Sequence, residues 1–294
     1  MKLYKIKEML HDLMDKPILS GIVITICFMV SVKCWPNFPD EYEVENICLL
    51  GAFILFWIGL FVLYRKEFRD EIPSAPSIKT ILFGLRFTAP TIIIGIVVLL
   101  AGIVALMTKD SSFFTPIVLA KCFMEALEAG VVEEIVLRGV FTGNMMRVNH
   151  SKKDMLKNAL IPSAVFGIIH LLNITSGAGV ISTIGQVMTA FAAGVMYSAV
   201  FFRTGTIIPG IIAHTFGDFA SMITLTAQQG GENFGLLVDS GSVVKQLLSS
   251  AIGCALILSF GLYVMRKSKQ PLIADIFDLD DGETPTIEGE ETTV

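Results

Sequence analysis

The sequence predicts an all-α, polytopic membrane protein of about eight transmembrane helices with both termini cytoplasmic. Three observations predict it. The 294 residues are 53% apolar and only 17% charged, where soluble domains carry about 25% charged residues, and mean hydropathy is +0.69. Charge-free apolar runs of membrane-spanning length recur along the whole chain. The loops between them alternate in charge. Such a composition excludes a soluble domain, a disordered protein and a nucleic-acid binder.

The spans can be taken in order. Pro17 to Val32, Ile47 to Tyr64 and Phe87 to Thr108 contain no charge, and each is near or within the roughly 17–25 residues that a helix needs to cross a bilayer. The first reads as a span and not as a cleaved signal, because it lies late and no small-residue cleavage site follows. The fourth, Phe113 to Met146, is apolar but holds Lys121, Glu125, Glu128, Glu133, Glu134 and Arg138. From Asn158 to Phe202 there is no Asp, Glu, Lys or Arg. That run is too long for one span, and the turn signal from Asn173 to Gly179 divides it into spans five and six. Span seven runs from Thr206 to Ala227 and span eight from Lys245 to Met265.

The loops orient these spans. Bases cluster before span one (Lys2, Lys5, Lys7, Lys16), between spans two and three (Arg65, Lys66, Arg69, Lys79), between four and five (Arg147, Lys152, Lys153, Lys157), at Arg203, and after span eight (Arg266, Lys267, Lys269). The intervening loops are acidic or neutral: Asp40 to Glu45, Lys109-Asp110, the Gly-Ala-Gly turn, and Glu232 to Asp239. Basic loops face the cytoplasm, so an even span count puts both ends there. The net charge of -5 is set by the acidic tail from Pro271 onward, without which bases outnumber acids. The expected organisation is a three-span region over 1–112, a core of spans four to seven over 113–227, a last span over 228–270 and a disordered acidic tail over 271–294.

The five cysteines, Cys27, Cys34, Cys48, Cys122 and Cys254, form no CxxC. They read as small apolar residues, with no disulfide framework and no zinc knuckle. Cys34 and Cys48 flank one short loop and are the one candidate pair outside the membrane.

Ionisable groups at a span centre each cost about 2.5–3.5 kcal/mol on insertion scales, so those of span four are candidates for function. Glu134 and Arg138 are four apart, share a helix face and can pair. Glu133 projects about 100° away round the helix and is left without a local partner, which suits general-base work. Lys121 and Glu125 read as a structural pair. His11 and His150 fall in solvated cytoplasmic loops, whereas His170 and His214 lie in apolar spans. His214-Thr-Phe-Gly-Asp218 places His and Asp on one face, and Phe166-Gly-Ile-Ile-His170 puts an aromatic one turn before the other His. At 1.5 Å per residue Glu133 and His170 lie about 20 Å from the basic loop between spans four and five, and His214 lies about 16 Å in from Arg203. All three reach one level, around mid-membrane or slightly cytoplasmic.

Two imidazoles, a free carboxylate and an Asp in one cavity fit water activation and hydrolysis of an acyl bond. Glu133 takes a proton from water with help from His170, while His214 and Asp218 face the carbonyl oxygen. Asp218 donates a hydrogen bond only when protonated; otherwise it orients His214.

Glu133-Glu134-x-x-x-Arg138, Phe166-x-x-x-His170 and His214-x-x-x-Asp218 resemble the three motifs of the CPBP family, which includes the CAAX prenyl endopeptidases and the bacterial Abi-type bacteriocin-processing or immunity proteins. The approach Arg203-Thr-Gly-Thr-Ile-Ile-Pro-Gly-Ile-Ile-Ala-His214 is also similar. The resemblance covers Glu125 to Asp218. It implies an intramembrane endopeptidase whose catalytic glutamate is Glu133 and whose two histidines are His170 and His214, acting near the cytoplasmic side. The last motif position, often Asn in the prenyl proteases, is Asp218. The resemblance implies a membrane-associated peptide or protein substrate, without implying whether it is prenylated, and a prokaryotic cell membrane as the setting. It favours a metal-free glutamate mechanism with no cofactor. The alternative is a metalloprotease in which His170 and His214 with a carboxylate hold zinc, although the chain has no HExxH helix.

Two other classes compete. A secondary transporter would use Glu and His as a proton relay, but the chain lacks paired interrupted helices in two matching halves. A non-catalytic scaffold or immunity protein of the same family would act through its acidic tail.

Overall fold

The computed structural model describes residues 2–39, 42–68, 76–108, 114–149, 151, 154–229 and 243–266. The acidic tail, His150 and the loop from Glu232 to Asp239 lie outside these. Among the described residues the chain is helical throughout: α1 (Lys2–Met14), α2 (Pro17–Cys34), α3 (Glu43–Phe68), α4 (Ile78–Leu85), α5 (Ala89–Thr108), α6 (Pro116–Glu134), α7 (Gly143–Val148), α8 (Met155–Ile169), α9 (Val180–Thr204), α10 (Ile208–Gln229) and α11 (Val243–Val264). A 3-10 turn over Arg86–Thr88 joins α4 to α5, and a π-helical stretch over Ile135–Thr142 joins α6 to α7.

Seven helical stretches are long and apolar enough to cross a membrane, so the chain is an all-α polytopic membrane protein. The eighth long helix is the continuous α6–π–α7 run from Pro116 to Val148, whose ionisable groups set it apart from the apolar seven. Two of its charges are buried inside the bundle: Glu134 and Arg138 are among the most enclosed side chains of the molecule.

Local chemistry sets the helix ends. Pro116 begins α6 behind Thr115, whose hydroxyl accepts from the Val118 amide at 3.4 Å, an N-cap arrangement. Span five continues past α8 as a 3-10 turn over His170–Ser176 and stops at Gly177, which adopts φ 93°. That left-handed conformation favours glycine. The predicted division of the long apolar run between His170 and Val180 is therefore a real helix end.

The segment before the first span forms α1, which sets His11 against α3. His11 Nε2 lies 2.8 Å and Lys7 Nζ 2.7 Å from Glu67 Oε1, so His11 is solvent-exposed, as expected, and also partnered. Among the described residues Lys121 and Glu125 form no ion pair. Both line a cavity beside the α2–α3 connection instead. All five cysteines are free, Cys34 and Cys48 included.

In the bundle, α9 packs between α8 and α11, α10 packs against α5 and α6, and α3 and α2 cover α6 and the π-helical stretch. The core residues Val132, Val136, Leu137, Phe141 and Phe166 are essentially inaccessible, which fixes α6 as the central helix. The α6–α10 contact is close enough that Gly130 has no room for a side chain: a Cβ there would run into Thr215.

Candidate active site

Four helices supply the site. Glu133 and Glu134 end α6, His170 follows α8, Tyr197 comes from α9, and His214 and Asp218 from α10. The π-helical stretch begins directly after Glu134, and such local widening of an α-helix recurs at functional sites.

His214 is the hub. Its Nδ1 lies 3.2 Å from Glu134 Oε1, and Arg138 Nη1 lies 3.0 Å from the same oxygen. The Arg-paired carboxylate accepts, so Nδ1 carries a proton and donates. The other ring nitrogen, Nε2, lies 3.4 Å from Asp218 Oδ2 and 3.6 Å from Glu133 Oε2. Two carboxylates facing one ring nitrogen need a proton among the three groups. The expected Glu134–Arg138 pair is present, while Glu133, expected without a local partner, is approached by His214 from across the helix interface.

His170 is fixed differently. Its Nδ1 lies 2.7 Å from the Phe166 carbonyl; a carbonyl only accepts, so Nδ1–H donates. The neutral ring then presents Nε2 as an acceptor. Phe166 also contacts both imidazoles edge-on, with centroid distances of 4.9 Å to His170 and 5.8 Å to His214. The predicted one-turn spacing of Phe166 and His170 thus serves to aim the ring.

Sequence reasoning missed Tyr197. Its ring stacks on His214 at 5.7 Å with 28° between planes, and the Arg138 guanidinium sits 5.5 Å from the Tyr197 centroid and 4.6 Å from that of Phe166. Two aromatic faces thereby shield the buried cation. The available signal was a hydroxyl-bearing aromatic inside an otherwise apolar span.

His170, His214, Asp218 and Tyr197 line one cavity of about 190 Å³, to which Gln186 and Ser221 also contribute. Side-chain exposure rises from 1% at Glu134 through 10% at His214 and 18% at Glu133 to 37% at Asp218. The arrangement offers an acceptor imidazole and a His–Asp pair around a small cavity, with the Glu133 carboxylate beside His214 Nε2, a set suited to acid–base chemistry. Among the described residues no three His, Cys, Asp or Glu side chains gather as metal ligands. Of the alternative zinc pair, His214 is engaged at Nδ1 by Glu134 and faces Asp218 and Glu133 with Nε2.

Residues 115–220, a little over a third of the chain, match the family model of the type II CAAX prenyl endopeptidase Rce1-like proteins. The match runs from the N-cap of α6 to within α10 and contains every residue of the cluster. It supports placing the chain in the CPBP/CAAX protease family. No curated protein and no solved structure matches the chain.

Proposed function

We propose that this protein is an intramembrane endopeptidase that activates water with glutamate and histidine. The observation that carries the reading is the convergence of Glu133, Glu134 and Asp218 on His214, with His170 in the same cavity. A purely structural ion pair accounts for Glu134 and Arg138 but not for a second carboxylate, an Asp and another imidazole beside them.

In this mechanism Glu133 takes a proton from a water molecule whose other hydrogen points to His170 Nε2. The water oxygen bonds to the peptide carbonyl carbon, and the carbonyl oxygen takes up the negative charge. His214, when protonated at Nε2, donates to that oxygen, and Asp218 orients or shares the proton. The C–N bond then breaks, the proton held by Glu133 passes to the leaving nitrogen, and the products are an amine and a carboxylic acid, whose remaining proton passes to His170 Nε2 or to solvent. Glu134 and Arg138 are positioning residues: they hold the His214 ring with Nε2 toward the cavity. No step needs a metal or another cofactor. The substrate is a membrane-associated peptide or protein, and the setting we propose is a prokaryotic cell membrane.

The test compares the termini of membrane peptides in cells carrying wild-type protein or Glu133→Ala at matched protein levels. New termini found only with wild type are the expected result. Identical profiles, with substrates adequately sampled, would overturn proteolysis and favour a scaffold working through the acidic tail.

A further inference from the structure

Two of the basic stretches of the sequence, around Lys79 and at Arg203, lie far apart in the chain, and the fold brings them to one cavity. It measures about 690 Å³ and lies between α4, the start of the 3-10 turn and the end of α9. Lys79 and Arg86 line it from the α4 side and Arg203 from the α9 side, with Leu82, Phe83 and Thr204 as walls. Among the described residues no Asp or Glu lines it. It shares no residue with the cavity of His170, His214, Asp218 and Tyr197.

Packing fixes these positions. Gly84 sits against Pro209 and Thr204 with no room for a side chain, which seats α4 on the α9–α10 turn. The Arg203 guanidinium lies 5.8 Å from the Phe83 centroid and 5.3 Å from that of Phe87, and only 7% of Arg203 is exposed. A cation in the last turn of α9 also suits the helix dipole. Arg203 therefore has a structural reason for its place. Lys79 and Arg86 have no such reason. Both are exposed, neither forms an ion pair among the described residues, and both face the cavity that Arg203 lines.

Like charges gathered in one cavity repel, and Arg266 adds a fourth within electrostatic range of Arg203. A bound anion relieves that repulsion. Arg and Lys donors around one pocket are the chemistry that recognises phosphate, Arg as a planar fork and Lys as a point charge.

The place in the fold says which phosphate. Lys79 stands at the start of the apolar stretch Ile78–Met107, and Arg203 and Thr204 stand at the end of Val180–Thr204. Both stretches are long and apolar enough to cross a membrane, so the cavity lies where two spans meet the headgroup layer. Leu82 and Phe83, between Lys79 and Arg86 in sequence, give the same cavity apolar walls. Basic pockets between spans hold anionic lipid headgroups. Here the headgroup meets the cations and the first acyl carbons meet Leu82 and Phe83. A free phosphate would leave those walls unused.

We propose that the cavity between α4 and α9 binds an anionic glycerophospholipid, with its phosphate held by Lys79, Arg86 and Arg203. The site is separate from the Glu133–His214 cluster, and it does not rest on the endopeptidase reading.

Native mass spectrometry of the detergent-purified full chain tests it, with phosphatidylglycerol and phosphatidylcholine of the same acyl chains offered together. Wild type is expected to prefer phosphatidylglycerol. Lys79→Gln with Arg86→Gln should weaken phosphatidylglycerol binding by about fivefold for each charge removed and leave phosphatidylcholine binding unchanged. Arg203 is kept, because it ties α9 to α4. Lys66→Gln with Lys157→Gln removes two exposed bases that do not line the cavity and should leave the preference in place. A third arm adds inorganic phosphate at constant ionic strength, and phosphatidylglycerol should stay bound. Absence of a preference in wild type overturns the proposal. So does a preference that survives Lys79→Gln with Arg86→Gln. An equal loss in the Lys66 and Lys157 pair would assign the preference to the general field of the basic end, and displacement by inorganic phosphate would assign the pocket to the free anion. Either result overturns the lipid site.

Discussion

Glu134 and His214, eighty residues apart, meet through a hydrogen bond of 3.2 Å between Oε1 and Nδ1, and the oxygen that joins them is also the one that Arg138 approaches at 3.0 Å. One carboxylate oxygen therefore ties α6 to α10 and fixes which ring nitrogen of His214 faces the cavity. Glu133, next in the chain, is left with its carboxylate toward the other nitrogen.

Glu133 is the residue whose loss should remove chemistry without removing the fold. Glu133→Gln keeps the volume and removes the base, and general-base loss is worth about 10²–10⁴ in rate. Turnover of a substrate found by terminus profiling should fall by that order, while thermal stability in detergent stays near wild type. Retained turnover would reassign the base.

The Glu134–Arg138 pair should behave in the opposite way. Both side chains are 1% exposed, and removing one member of a buried pair costs about 3–5 kcal/mol because the other charge is stranded. Arg138→Met should therefore destabilise strongly, and Glu134→Gln with Arg138→Met should recover part of that loss. A double-mutant cycle from chemical denaturation in micelles measures the coupling. A double variant no more stable than Arg138→Met would show that the two are not coupled.

Tyr197 separates ring from hydroxyl. Tyr197→Phe retains the face that stacks on His214 and should keep most activity, whereas Tyr197→Ala frees the imidazole and opens a cavity of the kind that costs about 3–5 kcal/mol in aromatic-to-alanine replacements. Activity and melting temperature of the two variants, compared side by side, check this.

Gly130→Ala places a methyl group against Thr215 and should push α10 from α6, lowering both stability and activity. Gly253→Ala, where nothing lies within 4 Å, should be neutral or stabilising by a helix-propensity gain of about 0.5–1 kcal/mol. Thermal melting of the purified variants distinguishes the two sites.

Stringent chelation should leave proteolysis in vesicles unchanged, as expected of a reaction run by Glu133 and His170 without a metal. Loss of turnover on chelation with recovery on added zinc would instead assign His170 and His214 as ligands.

The apolar helical spans were legible in the sequence because the bilayer acts on each segment separately. It selects apolar length and leaves the bases on one side. The i,i+4 pairs Glu134–Arg138 and His214–Asp218 were legible for a related reason, since helix geometry alone places them on one face. Tyr197, the closure of Gly130 on Thr215 and the hydrogen bond between Glu134 and His214 were not, because each joins residues on different helices. Their contact depends on how those helices pack and rotate against one another.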